Sequence, residues 1–202
     1  IVRADRAEAR RALGLDSRPL ILSFGGSLGA RTINEAMETL LLSSAKNQKY
    51  QHIHGYGQYG RWLPQALKEK GLDPAKAKNI VLKEYIRNMP ECLAAADLVI
   101  CRAGAITLSE LQARGRASIL IPSPNVAENH QYHNAMALVR RRAALMIEEK
   151  DLTGEFLCKK VEKVFALPGG TKEIGANAEK MAIIDANERI YRIIREILAR
   201  RA

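Results

Sequence analysis

The chain has 202 residues, 47% of them hydrophobic and 5% aromatic, and it carries a formal net charge of +10 at pH 7. This length and composition fit one soluble α/β domain with a substantial core. Its three cysteines are widely spaced and include no C-x-x-C pair. Neither a disulfide framework nor a zinc site is therefore suggested, and a reducing compartment is favoured. No apolar run of the sequence reaches membrane-spanning length.

The basic excess lies mainly in short helical clusters near residues 3–11, 140–142 and 189–201. Only one aromatic residue, Tyr191, lies within these clusters and no nucleic-acid-binding module is recognisable, so solvated helix faces are expected and a nucleic-acid partner is not. An attraction to anionic lipid headgroups stays open. The chain begins at Ile1 and has no leader, and we expect it to be a fragment of a longer protein.

Apolar runs typical of buried strands alternate with segments of helical periodicity. Strands are predicted at residues 19–24, 50–54, 80–85, 98–101, 118–122 and 144–147. Helices are predicted at residues 3–13, 33–40, 61–70, 90–96, 108–113, 130–141, 153–166, 172–183 and 186–200. This alternation predicts an α/β fold with a doubly wound, Rossmann-like parallel sheet, in which ligands bind beyond the carboxyl ends of the strands.

The stretch from Cys101 to Glu110 connects a predicted strand to a helix through Ala103, Gly104 and Ala105. Such a junction leaves backbone N–H groups unpaired at the positive end of the helix dipole, where a phosphate binds well. Thr107 is a candidate donor to the phosphate, and Glu110 a candidate acceptor from ribose hydroxyls. The alternative is a capping box, in which Thr107 and Glu110 serve only their own helix.

A second candidate phosphate turn is Gly25-Gly-Ser-Leu-Gly-Ala30, which also follows a predicted strand. It matches neither the dinucleotide fingerprint, because Phe24 stands where its first glycine would be, nor a Walker loop. The alternative is a tight turn with a role in packing alone.

Polar residues also open the predicted helix at residue 130, where His130 and Asn134 share one face. They are candidates for contacting a sugar, and the alternative for His130 is a capping or solvent-exposed role. His52 and His54 alternate on a strand and are interpreted as structural. The sequence has no Asp-x-Asp and no cluster with ligand spacing, so neither a metal nor a cofactor is expected.

The last predicted helix is strongly amphipathic, with an isoleucine-rich face and arginines elsewhere. Packing against the core is the default expectation for this helix. A position on a membrane surface is the alternative.

Four motifs together resemble the bacterial MurG family of transferases. They are Gly25-Gly-Ser-Leu-Gly-Ala-Arg31 with Asn34, Tyr85-Ile-Arg-Asn-Met89, Cys101-Arg-Ala-Gly-Ala-Ile-Thr-Leu-Ser-Glu110 and His130-Gln-Tyr-His-Asn-Ala135. This family moves N-acetylglucosamine from UDP-N-acetylglucosamine to the muramoyl C4 hydroxyl of lipid I, with inversion, and forms lipid II for peptidoglycan. The resemblance covers essentially the whole chain.

The resemblance implies that residues 1–202 are the C-terminal, donor-binding half of a two-domain GT-B glycosyltransferase that lacks its N-terminal acceptor domain here. Residues 1–4 would end the interdomain linker, and residues 185–202 would form the C-terminal amphipathic helix. The general base and the lipid I site would lie in the missing domain, so we expect the isolated fragment to be inactive. The resemblance also implies a position on the cytoplasmic face of the anionic inner membrane.

The resemblance assigns a donor-binding role to thirteen residues. Ile86 would contact uracil through its backbone and Glu110 would hold the ribose, while His130 and Gln131 would reach the sugar. The residues assigned to the diphosphate or to the support of these loops are Arg3, Gly26, Ser27, Gly29, Asn34, Ala105, Ile106, Thr107 and Asn134.

Two other kinds of protein stay open. One is the donor subunit of another UDP-sugar enzyme, either a split transferase or a UDP-N-acetylglucosamine epimerase. The other is a non-catalytic module that binds a membrane surface.

Overall fold

The computed structural model describes residues 4–199, and in that range six strands form one sheet. The strands are β1 (Leu20–Phe24), β2 (Gln51–Gly55), β3 (Ile80–Lys83), β4 (Leu98–Cys101), β5 (Ala117–Leu120) and β6 (Leu145–Met146). All neighbouring strands are parallel, and their order is β3-β2-β1-β4-β5-β6. The predicted doubly wound, Rossmann-like sheet is thereby confirmed.

Helices connect the strands and cover both faces of the sheet. The α-helices are α1 (Arg6–Ala12), α2 (Arg31–Asn47), α3 (Leu63–Glu69), α4 (Met89–Ala95), α5 (Ala105–Ala113), α6 (His130–Val139), α7 (Gly154–Ala166), α8 (Gly170–Glu179) and α9 (Ala186–Ala199). Most predicted elements exist with shifted ends. The largest shift that affects the candidate site is at α5, which begins three residues before the predicted start at residue 108.

The core has two apolar layers, one on each face of the sheet, because successive strand residues point to opposite faces. Ile21, Ile100 and Ile119 pack on one face with α2, α3 and α7. Leu22 and Val99 pack on the other face with α4, α5 and α6. Burial on both faces explains why the central strands have continuous apolar sequences instead of an alternating pattern.

Asp97 joins the first helix to the central strands. Its carboxylate accepts hydrogen bonds from the backbone N–H of Leu20 at 2.9 Å, from Arg6 Nη2 at 2.7 Å and from Arg10 Nη1 at 3.4 Å. Asp97 immediately precedes β4 and Leu20 begins β1, so these bonds hold α1 at the amino ends of the two central strands.

The expectation that the last helix packs in the core is wrong for its described part. Every residue of α9 is exposed, including Ile190, Ile193, Ile194 and Ile197, which are about half exposed. Residues 200–202 lie outside the described part of the chain. Between residues 4 and 199, no helix combines the length and the apolar character needed to cross a membrane.

His52 and His54 are fully buried in β2, as expected for structural histidines. Nε2 of His52 lies 2.8 Å from the Ser44 hydroxyl. Burial, with a smaller contribution from His54, lowers the pKa of His52 to about 3, and burial lowers the pKa of His54 to about 4. Both rings are therefore neutral in the folded protein near pH 7.

We expect the free energy of unfolding to fall as the pH decreases below about 6.5, because the unfolded chain then binds protons that these histidines exclude. For His52 alone the loss is about 2 kcal/mol between pH 7 and pH 5. Urea unfolding at pH 7 and pH 5 gives the free energy of unfolding at each pH. The difference between the two values should be smaller in His52→Gln than in the parent, by about 2 kcal/mol. The control His130→Gln, at an exposed position, should keep the parent difference, and equal differences in all three proteins would contradict the prediction.

Candidate functional site

The two predicted phosphate turns lie side by side at one edge of the sheet. β1 and β4 are neighbours that end in register, with Phe24 opposite Cys101. Residues 25–30 then lead to α2, and residues 102–104 lead to α5. The strand order reverses between β1 and β4, and in such sheets this reversal creates the crevice where ligands bind.

A cavity of about 270 Å³ occupies this crevice. Five of the predicted site residues line it, namely Gly26, Ser27, Ile86, Thr107 and Glu110. The structure therefore brings the glycine-rich turn, the loop after β3 and the start of α5 to one cavity.

The glycine-rich turn contains two kinds of glycine. Gly26 has a φ of 96° and open space where a Cβ would lie, so its backbone is accessible from the cavity. Gly29 has a φ of 84°, and a Cβ there would lie 2.2 Å from the carbonyl oxygen of Tyr56. The interpretation as a packing turn therefore holds for Gly29, and only Gly26 and Ser27 face the cavity.

A chain of buried hydrogen bonds supports this turn from below. Asn34 Nδ2 donates to the carbonyl of Tyr56 at 2.8 Å, which leaves its Oδ1 facing His54 Nε2 at 3.2 Å. His54 is neutral, so Nε2 carries the proton and Nδ1 accepts from the Ser23 hydroxyl at 2.8 Å. The amide of Asn34 is thus used inside the protein, and its role is to position the turn, not to contact a ligand.

The start of α5 presents free backbone donors. Gly104 is the N-cap and provides no side-chain cap, and no protein group in residues 4–199 accepts from the N–H groups of Ala105, Ile106 or Thr107. Because α5 begins at Ala105, Thr107 lies inside the first turn and not at the N-cap. The capping-box alternative for Thr107 and Glu110 is therefore wrong.

Glu110 lies one turn further along α5 and lines the cavity. Its carboxylate is partly buried, and burial raises its pKa. Within residues 4–199 it forms no hydrogen bond or ion pair with another side chain. It is an acceptor whose hydrogen-bonding capacity the described part of the protein leaves unused.

The loop after β3 forms the opposite wall of the cavity. The side chain of Ile86 is buried against Gly55, while no protein group in residues 4–199 bonds to its backbone N–H or C=O. Arg61 holds this loop through two hydrogen bonds to Glu84, at 2.8 and 3.0 Å, and lowers the pKa of that carboxyl. Ile86 can thus offer a backbone donor and acceptor from a fixed position.

The residues assigned to the sugar and its supporting loop, His130, Gln131 and Asn134, do not line the cavity. Asn134 Nδ2 donates to the carbonyl of Ala103 at 3.2 Å and so joins α6 to the turn before α5. Gln131 Oε1 accepts from the N–H of Ser123 at 3.0 Å, and Nδ1 of the exposed His130 lies 3.0 Å from the carbonyl of Ala127. Arg3 lies outside the described residues.

Sequence reasoning missed five residues that line the cavity. They are Phe24, Gly55, Glu84, Tyr85 and Met89. Tyr85 and Met89 stand in a motif from which only Ile86 was assigned, and the others lie at or just beyond strand ends. Their position at the carboxyl edge of the sheet is the signal that could have identified them. No group of three or more potential metal ligands occurs within residues 4–199.

Three comparisons with known proteins agree with this geometry. A family model described as the glycosyltransferase family 28 C-terminal domain matches residues 20–190. A curated relative from Thermoanaerobacter sp. (strain X514) is named UDP-N-acetylglucosamine--N-acetylmuramyl-(pentapeptide) pyrophosphoryl-undecaprenol N-acetylglucosamine transferase. It is 43% identical over 98% of this chain and 54% of its own length. A relative of the same name from Acetivibrio thermocellus is 39% identical over 100% of this chain and 54% of its own length.

Among solved structures, the crystal structure of MurG from Acinetobacter baumannii matches with a TM-score of 0.74 and 26% identity. That match covers 96% of this chain and 53% of the MurG chain. The chain therefore spans about half the length of the curated relatives it matches. The resemblance inferred from the four motifs is confirmed, and, because the family model covers most of its length, the chain belongs to the glycosyltransferase family 28 C-terminal domain family.

Proposed function

We propose that this chain binds UDP-N-acetylglucosamine as the donor half of an inverting glycosyltransferase that converts lipid I to lipid II. The observation that carries the proposal is the single cavity shared by Ser27, the start of α5, the backbone of Ile86 and Glu110. The names of the curated relatives, which are N-acetylglucosamine transferases, support the choice of sugar and acceptor.

The nucleoside would occupy the side of the cavity between Ile86 and Glu110. The free backbone groups of Ile86 can pair with the polar edge of uracil, which needs a donor and an acceptor. Glu110 can accept hydrogen bonds from both ribose hydroxyls, and a charged acceptor makes such bonds stronger than a neutral one.

The diphosphate would lie across the two turns. The N–H groups at the start of α5, the hydroxyls of Ser27 and Thr107 and the backbone at Gly26 are donors of the kind that phosphates use. When the bond from the sugar to UDP breaks, negative charge grows on the diphosphate. Preorganised donors stabilise that charge more in the transition state than in the ground state, which lowers the barrier.

The sugar would extend toward α6, where His130 and Gln131 stand at the first turn and Asn134 joins α6 to the turn at Ala103. In this arrangement Asn134 supports the loop, while His130 and Gln131 reach the sugar hydroxyls.

The binding site for the lipid-linked acceptor and the general base would lie in the part of the relatives' length that this chain does not cover. A lipid-linked acceptor places the reaction at a membrane, and we propose the cytoplasmic face of the inner membrane. The donor subunit of another UDP-sugar enzyme and a membrane-surface module are the outcomes that the experiments below separate from this proposal.

Glu110→Ala should weaken UDP-N-acetylglucosamine binding about 10- to 100-fold, because a hydrogen bond to a charged group contributes roughly 1.5–3 kcal/mol. Isothermal titration calorimetry with UDP-N-acetylglucosamine and UDP-glucose measures the affinity and the selectivity for the sugar. Glu173→Ala, an exposed carboxylate on α8, is the matched control and should bind as the parent does. Unchanged affinity in Glu110→Ala would refute the ribose role, and no affinity of the parent for either nucleotide would favour the membrane-surface module.

Ala105→Pro should weaken donor binding about tenfold or more while leaving the helix intact. Proline is well tolerated at the first helical position, and Gly104 before it is already extended, with a φ of −71° and a ψ of 142°. The substitution therefore removes one backbone N–H and little else. Ala105→Ser keeps that N–H and serves as the control; calorimetry gives the affinity and thermal unfolding the stability. Equal affinities in the two variants would exclude this N–H as a phosphate donor.

The purified 202-residue chain should bind the donor yet transfer no sugar to a soluble lipid I analogue, because the acceptor site and the base are proposed to lie outside it. Product formation followed by mass spectrometry tests this, with the full-length Thermoanaerobacter relative as the positive control. Transfer by the chain alone would contradict the placement of the base.

A further inference from the structure

A second cavity, of about 460 Å³, lies at the end of the sheet opposite to the candidate donor site. It is bordered by Asp97, just before β4, and by Ala117, the first residue of β5, and one side is formed by α8. Its charged lining consists of four cations and two carboxylates, namely Arg6, Arg114, Arg116, Lys172, Asp97 and Glu179. The lining therefore has an excess of two positive charges.

This excess already includes the charge of Asp97, whose oxygens accept hydrogen bonds from Arg6, from the backbone N–H of Leu20 and from Arg10. Arg10 is a further cation beside the cavity, so the local imbalance is larger than the lining alone indicates. Charges of one sign that lie close together and are partly buried repel one another strongly, since the interior screens them poorly.

Stabilisation of the C-terminal end of α4 accounts for only some of the arginine donors in this cavity. Arg6 Nη1 and Arg116 Nη1 both donate to the carbonyl of Ala96, at 3.1 and 3.0 Å, just after the C-terminus of α4, where cations are favourable. These bonds leave Nε of Arg116 buried and without an acceptor in residues 4–199. A buried N–H of a charged group without a partner is costly, and an anion in the cavity would remove that cost.

The surroundings of Arg116 destabilise its charge. Burial, which is the largest cause, and the neighbouring Arg6 and Arg114 together lower the pKa of Arg116 to about 10. Asp97 and Glu179 oppose this change but do not reverse it. An anion bound beside Arg116 would stabilise its charged form.

We propose that this second cavity binds a phosphate group, held by the guanidinium of Arg116 and the ammonium of Lys172, which both line it. An arginine guanidinium can donate two parallel hydrogen bonds to phosphate oxygens, and a lysine ammonium adds a positive charge on a flexible side chain. The Thr171 hydroxyl is a further donor in the lining. The phosphate is either free in solution or part of a phospholipid headgroup. This site is separate from the donor cavity and does not depend on the proposed function.

Titration of the chain with inorganic phosphate at constant ionic strength tests the proposal, with thermal unfolding and calorimetry as readouts. Phosphate should raise the unfolding midpoint of the parent, because it binds the folded state only. Arg116→Gln should weaken phosphate binding about tenfold or more, and Lys172→Gln, at an exposed position that leaves folding unaffected, about threefold. Arg141→Gln, at an exposed arginine that does not line the cavity, should bind as the parent does.

Ala105→Pro distinguishes this cavity from the donor site, since phosphate affinity should survive that substitution and be lost in Arg116→Gln. Flotation with vesicles of phosphatidylglycerol and phosphatidylcholine, compared with phosphatidylcholine alone, identifies the source. Vesicle binding that requires phosphatidylglycerol and Arg116 assigns the lipid headgroup; a response to phosphate alone assigns the free anion. If neither phosphate nor vesicle binding depends on Arg116 or Lys172, the proposal is refuted.

Discussion

The parallel pairing of β1 with β4 is the constraint on which the candidate donor site depends. These strands are distant in sequence, yet they end in register at Phe24 and Cys101, so both following turns start at the same level. The strand order reverses between β1 and β4, so the connections that follow these two strands lead away from each other. This divergence leaves the crevice open between the two turns. Without this register, the glycine-rich turn and the start of α5 would not share a cavity.

Buried polar groups then fix the position of the glycine-rich turn within that crevice. His54 is held neutral by burial and joins β1 to α2 through Ser23 and Asn34, and Asn34 in turn fixes the carbonyl of Tyr56 against Gly29. Each polar atom in this chain has one partner, so a fully satisfied network specifies a single arrangement of the turn. The candidate site is therefore supported by interactions that no ligand touches.

The parallel sheet and most elements could be predicted because buried parallel strands have continuous apolar sequences and the helices have clear periodicity. Glu110 could be proposed as a ribose acceptor from its place about one turn into the predicted helix, whereas Ile86 could be assigned only through the resemblance, since its residue type does not identify a nucleotide. The sequence did not decide between the two roles open to Asn34, because an amide that positions a turn has the same sequence signal as one that binds a ligand. The charged lining of the second cavity could not be predicted, because its members come from four separate segments that only the tertiary fold brings together.

The free donors at the start of α5 belong to the backbone, and the side chains of Ala105 and Ile106 point into solvent. An alanine scan of this protein would therefore not reveal the proposed phosphate contacts of this segment, because replacing these side chains leaves every N–H group in place. Screens for loss of function would underestimate the importance of this segment unless they include proline substitutions, which remove a backbone N–H group.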